Sequence, residues 1–205
     1  MEKLETISLR VAMAVPFIYF GNIGLSSLFY PGYSHLRQTA SELGARGAPH
    51  PEIFNIGLFI LGAAFLISAF GFFRALQQLG TKPILTWLTS SVLALLCLNV
   101  LLAGFFPLPD PRHSGFYLFY ANFFGPVIFA VTFWKRSDTK LLKAYLITTN
   151  ILMIATFALM MGVGGLATHA NVGLLQRILG LTDFPWITVA AYTLKQSVTK
   201  LTIPG

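Results

Sequence analysis

The sequence predicts an all-α fold: a polytopic membrane protein, built as a bundle of six transmembrane helices with a short interfacial helix in the first exoplasmic loop. Three observations predict it. Five uncharged apolar runs, Val11 to Tyr30, Phe54 to Phe73, Ile84 to Phe106, Gly115 to Trp134 and Ala144 to Val163, are long enough to cross a bilayer, and a sixth candidate spans Leu174 to Lys195. In hydrocarbon a chain must satisfy its backbone polar groups internally, which a helix of roughly 20 apolar residues does. Hydrophobic residues make up 55% and charged residues only 10%, too little polar surface to clothe a soluble core of this size. The longest connection, Pro31 to Glu52, leaves no room for a soluble domain, so 1–205 reads as a single transmembrane domain.

The first run follows Lys3 and Arg10, exceeds a signal-peptide core in length and lacks a small-x-small cleavage site, so it reads as a retained signal anchor. In the connection after it, Ser34 as N-cap and Gly44 as C′ residue bracket a predicted helix from His35 to Leu43. Leu36, Ala40 and Leu43 share one face of it and His35, Gln38, Thr39 and Glu42 another, the pattern of an interfacial helix across the bundle mouth. Pro16 and Pro126 are expected to kink the first and fourth spans. Cys97, the lone cysteine, falls mid-span with no disulfide partner and reads as core filling. The third connection, Phe106-Pro107-Leu108-Pro109-Asp110-Pro111-Arg112-His113, is a rigid proline turn with a carboxylate at its apex. In the last run Asp183 or Thr182 caps a helix whose second position is Pro185, so the sixth span is either two pieces or one kinked helix.

Charge gives the spans a direction. With a cytoplasmic N-terminus, that side receives ten Lys and Arg (Lys3, Arg10, Arg74, Lys82, Lys135, Arg136, Lys140, Lys143, Lys195, Lys200). The far side receives four (Arg37, Arg46, Arg112, Arg177). The positive-inside rule then puts both termini in the cytoplasm. The net charge of +7 is mostly this topology signal, with some attraction to anionic lipid, and its distribution excludes a nucleic-acid partner. All four histidines and four of the seven acids fall on the exoplasmic side.

Site chemistry is therefore expected there. Glu42 and Asp110 are the candidate general base or metal ligands. His35 and His113 are candidate ligands or proton shuttles, and Arg177 an anion clamp, with Ser41 and Gln38 beside them. Asp110 alternatively caps the fourth helix or pairs with Arg112 or Arg177. His35 and Glu42 stand two turns apart, about 10 Å, whereas helical metal pairs sit three or four residues apart, so metal and cofactor stay unassigned. Asn22, Asn55, Asn99, Asn122 and Asn150 place one amide in each of the first five spans. Amides in hydrocarbon turn inward, either as interhelical glue or as the floor of a polar cavity; Asn22, Asn55, Asn99 and Asn122 share the outer leaflet and are candidate ligand groups. No nucleophile elbow, P-loop, zinc-protease or dinucleotide motif is present.

The blocks Tyr30-Pro31-Gly32-Tyr33-Ser34-His35, Ala40-Ser41-Glu42-Leu43-Gly44-Ala45, Gly47-Ala48-Pro49 and Asn55-Ile56-Gly57 resemble the family catalogued as domain of unknown function 998, small multi-pass proteins of prokaryotes. Phe106-Pro107 with Asp110, and Gly173-Leu174-Leu175-Gln176-Arg177 before Trp186, are similar to its later landmarks. The resemblance implies a six-helix membrane bundle in a prokaryotic inner membrane and no particular activity. A further histidine common early in the family's fourth span has no counterpart here beyond His113. Two function classes follow: an exoplasmic-facing pocket that binds, with or without enzymatic processing, a lipid headgroup or small polar molecule, or a small-solute transporter or channel through the bundle. A membrane scaffold is the third. Convergence of Glu42, Asp110 and Arg177 within about 10 Å, the range of direct or water-bridged contact to one ligand, is the geometry the first class expects.

Overall fold

Three continuous helices, α1 (Glu2–Leu28), α2 (Pro51–Gln78) and α3 (Pro83–Phe105), open the fold. A 3₁₀ segment, Pro111–Phe124, passes directly into α4 (Gly125–Thr132), and α5 (Lys140–Met160), α6 (Val172–Asp183) and α7 (Pro185–Thr202) complete it. The computed structural model describes residues 2–202. Residue 1 and residues 203–205, the ends of the predicted domain, lie outside the described residues, as does the Lys3 side chain. Five stretches are long and apolar enough to cross a membrane: Leu4–Leu28, Pro51–Gln78, Pro83–Phe105, Pro111–Thr132 and Ser137–Met160. No strand occurs among the described residues, and the chain is an all-helical, multi-pass membrane protein.

The helices start where proline permits. Pro51 and Pro83 open α2 and α3, and Pro185 opens α7, because an N1 residue has no intrahelical use for an N–H. Pro126, expected to kink a span, sits instead in the first turn of α4, where its missing donor costs no bond. Pro16 lies inside α1, which continues through it.

Small residues set the spacing and amides lock it. Gly71 of α2 lies against Ser8 of α1, and Gly62 and Gly104 admit Leu101 and Phe59 across the α2–α3 contact. On the other side of α1, the Thr188 hydroxyl of α7 donates to the Met13 carbonyl at 3.0 Å. Three asparagines then nest on three glycines of neighbouring elements: Asn22 on Gly57, Asn55 on Gly44 and Asn99 on Gly115. A methyl at any of these glycines overlaps the amide. Asn22 donates to the Phe54 carbonyl at 3.0 Å and accepts from Ser26 at 3.3 Å, fixing the α1–α2 register.

Two elements differ from expectation, and the choice left open for the sixth candidate is decided. The first connection holds no helix over 35–43: a turn at Ser34–Gln38 is followed by an extended Thr39 and a 3₁₀ helix, Ala40–Gly44. The Gln38 and Thr39 carbonyls, which a continuous helix would need, are taken by the Tyr33 hydroxyl at 3.3 and 2.8 Å. Thr39, rather than Ser34, becomes the cap. Ala40 and Leu43 are buried against the bundle, while Leu36 is exposed. Second, the predicted span from Gly115 to Trp134 starts irregularly, with Gly115, Phe116 and Tyr117 all in the left-handed region. The sixth candidate takes the first of its two expected forms, two pieces, with the break between α6 and α7 at Phe184.

The Asn22–Gly57 nest predicts that Gly57→Ala lowers stability by about 1–3 kcal/mol, the usual cost of overpacking, in thermal unfolding of the detergent-solubilised protein. Asn22→Ala in the same chain is expected to restore part of that loss; a G57A protein melting like wild type removes the nest.

Candidate functional site

The end of the bundle carrying the 31–50 connection is roofed by a clamp centred on Arg177. Gly173, in the first turn of α6, lies directly against the backbone of His35 and Gln38, an approach no side chain permits. The Leu174 N–H reaches the Leu36 carbonyl at 3.0 Å, and the Gln176 side-chain oxygen accepts from the Ala40 N–H at 2.5 Å. One turn into α6, Arg177 donates to the Gln38 carbonyl at 2.6 Å and the Gly173 carbonyl at 2.9 Å, and also to the Tyr33 hydroxyl. Loss of solvent raises the Tyr33 pKa, against the pull of the Arg177 charge. Glu42 belongs to the same fabric: its carboxylate accepts from the Thr39 N–H at 2.5 Å and the Thr39 hydroxyl at 2.9 Å.

Beneath the roof lies a cavity of about 290 Å³. Its polar lining comes from Ser41, Asn99, His113, Ser114, Gln176 and Asp183. Aromatic walls come from Tyr19, Phe54, Phe119, Phe157 and Phe184. Two of the polar groups have nothing to bond: Asn99 Oδ1 and Asp183 Oδ1 are both buried without a hydrogen-bond partner. A buried acceptor left unmade costs about 1–3 kcal/mol.

His113 is tied to the end of α3. Its Nδ1 sits 3.1 Å from both the Ala103 and Phe106 carbonyls. Carbonyls only accept, so Nδ1 carries a proton, and Nε2 is the ring nitrogen turned away from them.

The helix break supplies Asp183. Pro185 has no N–H and the Ile187 N–H turns to Phe184, so the Asp183 carbonyl is left free at the end of α6. Asn122 fills the gap, donating to that carbonyl at 3.0 Å while accepting from the buried Trp186 indole at 3.1 Å.

The predicted site residues thus divide. Ser41, Asn99 and His113 line the cavity. Asn22, Asn55 and Asn122 each donate to a backbone carbonyl, Phe54, Gly44 and Asp183 respectively, and act as staples. Gln38 accepts from the Ser34 N–H through its side chain and carries the roof through its carbonyl. His35 is exposed, edge-on to Tyr33 at 5.1 Å, and partial loss of solvent followed by the Arg177 charge lowers its pKa. Glu42, Asp110 and Arg177 take separate partners and none lines the cavity: Asp110 binds Arg112 at 2.8 and 3.0 Å and Arg46 at 3.3 Å. The Arg112 guanidinium and then its N–H hold the Asp110 carboxyl down at about 2. No group of three or more His, Cys, Asp or Glu gathers among the described residues.

Sequence reasoning missed Tyr19, Gln176 and Ser114, and read Asp183 as a cap. An acid within an apolar run, followed at once by Phe184-Pro185-Trp186, was the available signal for a carboxylate at a helix break.

Residues 13–193 match the family described as Protein of unknown function (DUF998), and the chain belongs to that family. No curated protein and no solved structure matches the chain.

Asn122→Leu is expected to strand both the Trp186 indole N–H and the Asp183 carbonyl, at about 1–3 kcal/mol each; thermal unfolding together with Trp186 emission checks this. The Asp110 pair has a defined pH signature. A folded pKa below the ordinary 3.8 means the pair stabilises above that value and loses its contribution as pH falls toward about 2. The melting-temperature gap between wild type and Asp110→Asn should hold steady from about pH 7 to about pH 4 and shrink below that. A gap that widens on acidification contradicts the pairing.

Proposed function

We propose that this member of the DUF998 family is a ligand-binding protein of a prokaryotic inner membrane. Its roofed cavity opens toward the exoplasm and takes a lipid headgroup or small polar molecule. The observation that carries the reading is that Asn99 and Asp183, which line one cavity, each hold a buried oxygen without a hydrogen-bond partner. The ten-to-four bias of Lys and Arg supports the orientation, with both termini cytoplasmic and α6–α7 as a broken sixth crossing.

The cavity's volume and its mix of aromatic walls with a few converging polar groups are those of a small-ligand site. His113 Nε2 and the Asp183 carboxylate are the groups that accept protons from a bound molecule, and any chemical processing runs through them. Glu42, Asp110 and Arg177 act on the ligand only through the backbone they hold. The lining ends at Tyr19, Leu58 and Phe157 and does not include Asn150, which favours a pocket over a transport path.

Filling the cavity tests the reading. Wild type and Ser41→Trp are purified in parallel and their bound small molecules and lipids extracted for mass spectrometry. A species retained by wild type is expected to fall at least about tenfold in the variant, the loss of one anchoring contact or more. An identical complement in two equally folded proteins overturns the reading.

A further inference from the structure

We propose that the occupant of this cavity carries a positively charged amino group, with its N–H donors on Asp183 and Asn99 and its charge against the aromatic walls; this rests on the ligand-binding reading above. Asp183 is in no ion pair among the described residues, whose pairs involve Asp110, Glu52 and Asp138. A carboxyl group shielded from water ionises beside a counter-charge and otherwise keeps its proton. No Lys or Arg is part of the lining, and the roof cation Arg177 makes its hydrogen bonds to Gln38, Gly173 and Tyr33 rather than to Asp183.

The hydrogen-bonding inventory points the same way. Asn99 Oδ1 and Asp183 Oδ1 are acceptors without donors, and His113, protonated at Nδ1, adds Nε2 as a third acceptor. A phosphate or carboxylate finds no Lys or Arg in the lining. A neutral polyol fills the acceptors but brings no counter-charge to Asp183. An ammonium group brings up to three donors and one positive charge.

The walls are suited to that charge. Tyr19 and Phe184 pack at 4.4 Å between ring centroids, Phe119 and Phe157 at 5.3 Å, and all four line the cavity. Aromatic faces around a carboxylate form a general recognition site for alkylammonium ions. The small volume limits the occupant to about the size of an amine headgroup or a free short amine.

The test uses the full-length protein in maltoside micelles, with the melting temperature read against ethylammonium chloride, equal sodium chloride and, as neutral isostere, ethanol. A second arm compares nanodiscs of phosphatidylglycerol with and without phosphatidylethanolamine. Wild type is expected to be stabilised saturably by ethylammonium and not by ethanol or salt. Asp183→Asn should raise the half-saturating concentration about tenfold or more, the loss of a charge-assisted hydrogen bond, and Asn99→Ala about fivefold. Should D183N fail to fold, N99A carries the comparison. Stabilisation by phosphatidylethanolamine identifies a lipid source, and stabilisation by ethylammonium alone a free amine. An equal response to ethanol, or variants that respond like wild type, overturns the inference. So does silence toward every amine while Ser41→Trp still loses its ligand, which leaves the cavity reading standing. Silence together with an unchanged Ser41→Trp complement removes both.

Discussion

A carbonyl freed inside a packed bundle has to find its donor within the protein, and the Asn122 amide does this at the break between α6 and α7. Donating to Asp183 and accepting from Trp186, it ties the 3₁₀ segment to both sides of the break. Gly125 packs directly on the Trp186 ring, so the indole cannot shift without the chain around it. The break in turn sets the path of α6. With α6 turned off the line of α7, Gly173 and Arg177 reach the first connection and the Asp183 side chain enters the cavity wall. Roof and cavity both depend on one amide.

The charged groups that stand out in the sequence are used up in holding backbone. Arg177 binds two carbonyls and a hydroxyl, Glu42 closes the start of a 3₁₀ turn, and Asp110 is gripped by two arginines. Among the described residues unmet hydrogen-bonding capacity is spread over several spans, Arg177 Nε included, and Asn99 and Asp183 are the two such residues that line the cavity. A loop charge is paired cheaply, whereas a buried acceptor is not.

Architecture was legible because hydrophobic length and the need to satisfy the backbone leave little choice, and the five long spans fall where the apolar runs put them. The site was legible only in part. Asn99, His113 and Ser41 were found by asking which polar residues share the outer half of the bundle. Asn22, Asn55 and Asn122 answer to the same description, yet they are staples, because each meets a carbonyl from an element distant in sequence. The lost helix at 35–43 has the same cause: its capping and periodicity signals are local, while the carbonyls that would sustain it are claimed by Tyr33 and by Arg177, far along the chain.

The nesting of Asn22 on Gly57, Asn55 on Gly44 and Asn99 on Gly115 has a consequence beyond this molecule. Each amide occupies space that exists only because its partner lacks a side chain, so neither residue is free to drift alone. A change at one position of a nest is therefore expected to be tolerated only with a change at the other, as with paired bases in a stem.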